Sequence, residues 1–146
     1  MDFTIKHFNE LSNRELYEIL KTRQEIFIIE QNCPYMDIDD LDLDAMHIFS
    51  MNEEGRVTSC LRVFMKDENT AQIGRVVTLV HGEGLGGKIL HEGVRVALED
   101  YQAEKIYLEA QTYAIGYYEK EGFRVISGEF DLDGIPHVEM ERGREL

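Results

Sequence analysis

Apolar Phe3, Ile5 and Phe8 among polar neighbours predict a first strand over Phe3 to Phe8. The spacing then lengthens: Leu16, Leu20, Arg23 and Phe27 recur at steps of four, three and four, so they share one helix face. Ser12 with Glu15 three residues on has the capping-box spacing that starts such a helix. It should end near Gln31, because Pro34 cannot sit in a helix interior. Arg23 is the odd member of the face and reads as an arginine whose stem packs while its head reaches water. An acidic loop runs from Tyr35 to Asp44. Met46 to Met51 and Arg56 to Met65 predict a hairpin around Asn52-Glu53-Glu54-Gly55, with Ala71 to Leu79 as the third member of a meander. Leu90, Val94, Ala97 and Tyr101 mark the buried face of a second long helix. Lys105 to Ala110 is a short buried strand and Thr112 to Glu121 a short helix. Phe123 to Phe130 and His137 to Arg142 form a closing hairpin around Asp131-Leu132-Asp133-Gly134. Strands and helices mix without strict βαβ repetition, and there is no internal repeat or linker. The reading is one α+β domain over residues 1–146.

Composition changes this picture by exclusion. With 43% hydrophobic and 30% charged residues, the chain describes a soluble globular protein. No apolar run approaches the ~18 residues of a membrane span, and MDFTIKHF lacks the basic and apolar regions of a signal peptide, so a cytoplasmic protein with no membrane partner is expected. Cys33, in a predicted loop, and Cys60, in a predicted strand, make no CxxC and no Cys/His pair, so no metal site or disulfide framework is expected. A formal charge of −14 disfavours nucleic acid as a partner and favours a cationic or neutral one. Asp40, Asp42 and Asp44 have the spacing of calcium ligands. Yet Ala45 stands where the EF-hand needs Gly, and Met51 where it needs Glu. The loop reads instead as solvated, or as attracting a cationic acceptor. No GxSxG elbow or HExxH supports a hydrolase.

The densest chemical signal is Val80-His81-Gly82-Glu83-Gly84-Leu85-Gly86-Gly87-Lys88-Ile89-Leu90, a glycine-rich loop between a strand and a helix. Glycines let the chain turn sharply and bring backbone N–H groups close to a ligand, and the helix start adds partial positive charge. The arrangement is an anion cradle. A Walker loop fails at Ile89, which cannot hold magnesium where Ser or Thr is required. Gly82, Gly84 and Gly87 satisfy G-x-G-x-x-G, but the elements before them form a meander instead of a first βαβ unit. A turn that merely joins two elements is the remaining alternative.

The segment His81-Gly82-Glu83-Gly84-Leu85-Gly86 resembles the coenzyme A pyrophosphate loop of the GNAT acetyltransferase superfamily, Gln/Arg-x-x-Gly-x-Gly/Ala, with His81 departing from the usual first residue. Ala114-Ile115-Gly116-Tyr117-Tyr118-Glu119-Lys120-Glu121-Gly122-Phe123 resembles its Ala-x-x-x-Tyr-x-x-x-Gly-Phe segment. Within the superfamily the chain is similar to the ElaA-like group, through LYEILKTRQEIFIIEQNCPYMDIDDLD, AMHIF, IGRVV and DGIPHVEM, in order along nearly the whole chain. An arginine stands at the place of Arg23 in that group, with no role assigned to it.

What the resemblance implies is a GNAT acyl-CoA N-acyltransferase fold, a twisted mixed sheet flanked by helices whose central strands splay to admit pantetheine. It implies acetyl-CoA as co-substrate and direct attack by a primary amine, small-molecule or peptidyl, on the thioester. On that reading the cofactor set is Val76, Val77, Thr78, His81, Gly82, Glu83, Gly84, Leu85, Gly86, Gly87, Gln111 and Tyr118. Tyr118 takes the place of the acid that protonates the leaving thiolate, although Tyr117 beside it could equally point inward. Glu30, Glu109 and His137 are candidates for the base, with His137 leading because imidazole exchanges protons near neutrality. A homodimer is compatible with the resemblance. A non-catalytic acyl-CoA-binding sensor and a dinucleotide-binding module are the competing classes; Tyr118 argues against the first and the meander against the second.

Overall fold

The first helix starts as its spacing predicts: Glu15 N donates to Ser12 Oγ at 3.0 Å and Ser12 N to Glu15 Oε1 at 2.8 Å. The structure, a computed structural model, describes residues 2–32, 35–79 and 84–145. Its strands are β1 (Thr4–His7), β2 (Met46–Met51), β3 (Val57–Met65), β4 (Thr70–Thr78), β5 (Lys105–Gln111), β6 (Arg124–Val125), β7 (Phe130–Leu132) and β8 (Ile135–Gly143). Its helices are α1 (Asn13–Arg23), α2 (Leu85–Arg95) and α3 (Ile115–Glu119). Both long helices loosen at their C-terminal ends into π-helical turns, Gln24–Glu30 after α1 and Val96–Asp100 after α2.

The strands form one mixed sheet ordered β1-β2-β3-β4-β5-β8-β6, with β7 also on β8. The expected meander is β2, β3 and β4, each antiparallel to the next. β4 and β5 run parallel, but their ladder holds only Thr70, Ala71 and Gln72 against Lys105, Ile106 and Tyr107. Beyond Gln72 the two strands pair no further, and the sheet opens into a wedge. The long strand expected at Phe123 to Phe130 is instead two short ones. Between them the Ser127 hydroxyl accepts from Glu139 N at 2.8 Å, so a side chain takes a place the ladder would otherwise fill.

The main core lies between α2 and one sheet face, joining Ile89, Leu90 and Val94 to Leu61, Ile73, Ile106, Leu108 and Met140. A smaller cluster of Ile19, Phe49, Val57, Cys60 and Val77 lies under α1 on the other face. The helix face expected from Leu16, Leu20, Arg23 and Phe27 is rotated. Glu18, Ile19, Thr22 and Arg23 are the buried residues, and Leu16 and Leu20 are half-buried. Thr22 Oγ1 secures this orientation by donating to Val57 O at 2.8 Å.

Candidate active site

A break in register shapes the wedge. Cys60 pairs with Val77 but Arg62 pairs with Gly74, so Arg75 and Val76 together oppose Leu61. This is a β-bulge, a device that bends a strand and re-aims its side chains. Arg75 sits at φ 53°, the left-handed region a non-glycine residue occupies only when its surroundings enforce it. The enforcement is ionic. Arg75 Nε lies 2.9 Å from Asp37 Oδ1, and its Nη2 lies 3.2 Å from Asp39 Oδ2.

These contacts belong to a lattice of three arginines and three aspartates. Arg23 meets Asp37 at 3.1 Å and Asp42 at 2.8 Å; Arg62 meets Asp42 at 3.0 Å and Asp39 at 2.8 Å. Arg23 is 1% exposed, so its head does not reach water as the sequence suggested; it ends on two carboxylates. In the acidic loop Asp37, Asp39 and Asp42 are taken up by these arginines and are no free lure for cations, while Asp40 and Asp44 stay exposed as a solvated loop requires. Burial opposes ionisation of Asp39, but the hydrogen bonds and charge of Arg62, with Arg75 behind, outweigh it and bring its carboxyl to about 2.

Above the bulge, a cavity of about 690 Å³ fills the wedge between β4 and β5. Val76, Val77 and Thr78 line one side, Gln111 and His137 the other, and Gly84, Leu85, Gly86 and Gly87 close one end. Gly84 stands at φ 74° and starts α2 with no side-chain cap, and the first bond into the helix is Lys88 N to Gly84 O at 3.1 Å. The N–H groups of Leu85, Gly86 and Gly87 therefore have no partner within the helix, as the start of any helix requires. A Cβ at Gly86 would lie 3.4 Å from Tyr117 Cε1 and 3.5 Å from Thr78 Oγ1, in ordinary contact with both side chains. The geometry suits an anion held by backbone donors. His81, Gly82 and Glu83 lie outside the described residues.

α3 supplies two adjacent tyrosines with different tasks. Tyr117 donates its hydroxyl to Gly86 O at 2.5 Å and so ties α3 to the start of α2. Tyr118 also lines the cavity; it is 9% exposed, packed edge-on against Tyr117 and Phe123, and its hydroxyl has no hydrogen bond to the described residues. Burial pushes the Tyr118 phenol above its ordinary range, so it holds its proton at neutral pH.

His137 faces the same cavity from β8 and is 7% exposed. Its Nδ1 lies 2.8 Å from Ile135 O, which can only accept, so Nδ1 carries the hydrogen and Nε2 the lone pair of the neutral ring. Gln111, opposite it in the ladder, is engaged with Gln31, each amide nitrogen reaching the other's oxygen at 3.1 and 3.3 Å. Glu109 lines the cavity and is exposed; Glu30 is exposed too, but lies outside the lining, where its neighbour Gln31 takes the place. The structure thus brings together Tyr118, His137, Glu109 and the start of α2, and leaves Glu30 apart.

Sequence reasoning missed Tyr35, Asp39, Arg62 and Arg75 as part of the wall. The available signal was a charged residue inside each of two apolar strands, in Cys60-Leu61-Arg62-Val63-Phe64 and Ile73-Gly74-Arg75-Val76-Val77. Cys60 is fully enclosed, and burial pushes its thiol up to about 12, so it is no nucleophile. Among the described residues no group of three or more His, Cys, Asp or Glu side chains could hold a metal ion, and no helix is long and apolar enough to cross a membrane.

A mixed sheet parted between two parallel strands, with the uncapped start of α2 at one end of the opening and a tyrosine and a histidine lining it, defines an acyl-CoA N-acyltransferase fold. The family model described as "Acetyltransferase (GNAT) domain" matches residues 10–143, and the chain belongs to that family. A UPF0039 protein of Schizosaccharomyces pombe is 34% identical over 143 residues, covering 96% of this chain and 95% of its own. Among solved structures, an acyl-CoA N-acyltransferase from Pseudomonas aeruginosa superposes with a TM-score of 0.91 at 34% identity, covering 98% of this chain and 100% of that one. Escherichia coli ElaA superposes with a TM-score of 0.90 at 31% identity, covering 97% of this chain and 98% of its own. The resemblance to the ElaA-like group read from the sequence holds along nearly the whole chain.

Proposed function

We propose that the protein is an acetyl-CoA-dependent N-acetyltransferase acting on a primary amine. The observation that carries this reading is the convergence, in one wedge, of the backbone donors of Gly84 to Gly87, the Tyr118 phenol and the His137 imidazole. The cradle fits a pyrophosphate, because it offers uncapped N–H groups and the positive end of a helix. The edge of β4 that faces β5 is unpaired beyond Gln72, and from Val76 to Thr78 it offers backbone groups to an extended pantetheine arm and to the thioester carbonyl. Acetyl-CoA supplies the activated acyl group.

The chain's own residues then handle protons. An amine must be neutral to attack, and the lone pair of His137 Nε2 is placed to take its proton. The new C–N bond forms as the C–S bond breaks; the departing thiolate takes the Tyr118 proton, and the proton that the acylated nitrogen must then shed restores the phenol. A phenol held neutral by burial suits that late donation. A non-catalytic acyl-CoA sensor would need the cradle but neither of these groups facing it.

The test is acetyl-CoA binding by calorimetry combined with thiol release across an amine panel, for wild type and Tyr118→Phe. The variant should bind acetyl-CoA as wild type does while kcat falls by roughly 10²-fold. Failure of the folded wild type to bind acetyl-CoA would end the reading. Undiminished turnover in Tyr118→Phe would reduce the tyrosine to packing.

A further inference from the structure

One donor in the cavity wall is buried and unpaired. Arg62 is 4% exposed, and its Nη atoms are taken by Asp39 and Asp42, but its Nε makes no hydrogen bond to the described residues. Arg56 Nε is unpaired too but lies outside the cavity lining, and Arg75 Nε faces Asp37 Oδ1 at 2.9 Å. Arg62 and Gly74 are directly opposed in the antiparallel β3–β4 ladder, so they share a sheet face, and both line the cavity. Gly74 leaves that face bare. The one heavy atom that a Cβ there would meet among the described residues is Arg62 Nε at 4.0 Å, so the orphaned N–H lies beside the space a side chain would otherwise fill. A buried donor without a partner costs stability, and a hydrogen-bond acceptor seated over Gly74 would restore it.

The surroundings set the chemistry of the group that fits. The charge of Arg62 is already matched by Asp39 at 2.8 Å and Asp42 at 3.0 Å, and Glu109 stands exposed in the same cavity wall, so a neutral carbonyl oxygen suits the site better than a further carboxylate. Gln72, two residues before Gly74 and so on the same side of β4, also lines the cavity and carries an amide that donates and accepts. The place is remote from the transfer groups. Gly74 is on β4 and His137 on β8 with β5 between them, and a strand step of ~4.8 Å sets them about 10 Å or more apart where the sheet opens. Leu41, Tyr113 and Leu132 line the cavity and are nonetheless exposed, which gives its mouth an apolar rim.

We propose that the acceptor is the α-amine of a peptide, and that Arg62 Nε binds, over Gly74, a backbone carbonyl about three residues from that amine. An extended chain covers at most ~3.3–3.6 Å per residue, so about three residues span the distance from His137 to Gly74. Carbonyls recur at every residue of such a chain, are neutral, and accept from a guanidinium N–H. The apolar rim receives side chains that leave the cavity. A simple amine would reach the transfer groups and leave Arg62 Nε unpaired. The inference rests on the acetyl-transfer reading above and names its substrate class.

The experiment measures acetyl-CoA-dependent thiol release with alaninamide and the di-, tri- and tetra-alanine amides, against octylamine as an apolar amine of similar reach. In wild type kcat/KM should rise by at least about tenfold from alaninamide to the tetra-alanine amide, with octylamine near the alaninamide level. Gly74→Ala sets a methyl beside Arg62 Nε with no other close contact and no left-handed φ, and it should bring the peptide ratio close to one. The loss should lie in KM more than kcat, because the contact is remote from the reacting bond. Arg62→Lys keeps a cation for the aspartates but has no Nε–H, and should lose the ratio as well; circular dichroism melts verify that each variant is folded. A wild-type ratio near one, a ratio preserved in either folded variant, or octylamine equal to the tetra-alanine amide overturns the peptide assignment while leaving acetyl transfer standing. If no amine is acetylated, calorimetry decides. Acetyl-CoA binding without binding of the tetra-alanine amide overturns this proposal alone; binding of both supports it when Gly74→Ala weakens the peptide and overturns it when it does not; absence of acetyl-CoA binding overturns this proposal and the reading beneath it.

Discussion

Replacing Arg23 by Met keeps a long apolar stem and deletes the cation at the centre of the ion lattice. Arg23 is 1% exposed and donates to Asp37 Oδ2 at 3.1 Å, Asp37 O at 3.0 Å and Asp42 Oδ1 at 2.8 Å. Breaking a buried pair from one side costs about 3–5 kcal/mol, because the partner charge stays buried. Here each carboxylate keeps another arginine, Asp42 with Arg62 at 3.0 Å and Asp37 with Arg75 at 2.9 Å. The loss should therefore fall at the lower end, about 3 kcal/mol, and lower Tm by about 6–12 °C in a chain of this size. Urea unfolding followed by circular dichroism measures it. The pH dependence gives a second reading. Burial raises the Asp42 carboxyl, but hydrogen bonding and charge from Arg23, then Arg62, hold it below its ordinary 3.8. A depressed carboxyl stabilises the fold above its unfolded value, and that contribution is lost as pH falls through the folded one. Without Arg23, Asp42 protonates more readily, so the difference between wild type and variant should narrow from about pH 5 to about pH 3. A loss under about 1 kcal/mol at neutral pH, or a difference that does not vary with pH, would refute the lattice as a buried structural element.

Asp39→Asn should follow the same sign: Asp39 sits at about 2 in the fold against an ordinary 3.8, so the deficit of the variant should be full at pH 5 and fade as pH falls toward the lower value. A deficit that is constant across a pH series of urea titrations would count against it. Gly93→Ala gains helix propensity of up to about 1 kcal/mol. But its Cβ would lie 3.0 and 3.2 Å from the two Leu61 methyls and 3.4 Å from Ile73 Cδ1, and crowding a filled core costs about 1–3 kcal/mol. The net expectation is a loss of about 1 kcal/mol in Tm-derived stability, and a stabilised variant would show that Leu61 has room to turn.

What the sequence disclosed of the fold was local. The Ser12–Glu15 capping box spans three residues and forms as its spacing requires. The meander from β2 to β4 follows from alternation and from a turn at Asn52–Gly55, where Gly55 takes φ 80°. What it hid was set by partners distant along the chain. The α1 face was misjudged because Thr22 is bound to Val57 O, 35 residues on, and the head of Arg23 because Asp37 and Asp42 hold it from 14 and 19 residues on, which no periodicity reports. The last hairpin was read as one strand because Val125 and Ile126 continue an extended pattern, while the break at Ser127 depends on a bond to Glu139.

The site shows the same division, with one consequence for charge. Tyr118 and the end of the glycine run were legible as cavity residues because they sit in short motifs, and His137 because it follows a turn that the closing hairpin requires. The bulge was not, because it exists only through the β3 register and the hold of Asp37 and Asp39 on Arg75. That hold also gives the loop aspartates partners that a net charge of −14 does not disclose. The aspartates of the loop look, in sequence, like the natural lure, yet three of them are spent on arginines drawn from α1, β3 and β4. The carboxylates left facing one another are Glu109 and Glu139, separated by 30 positions and joined only by the β5–β8 pairing. Sheet register, then, and not charge density along the chain, decides which acidic groups share a sheet face with His137.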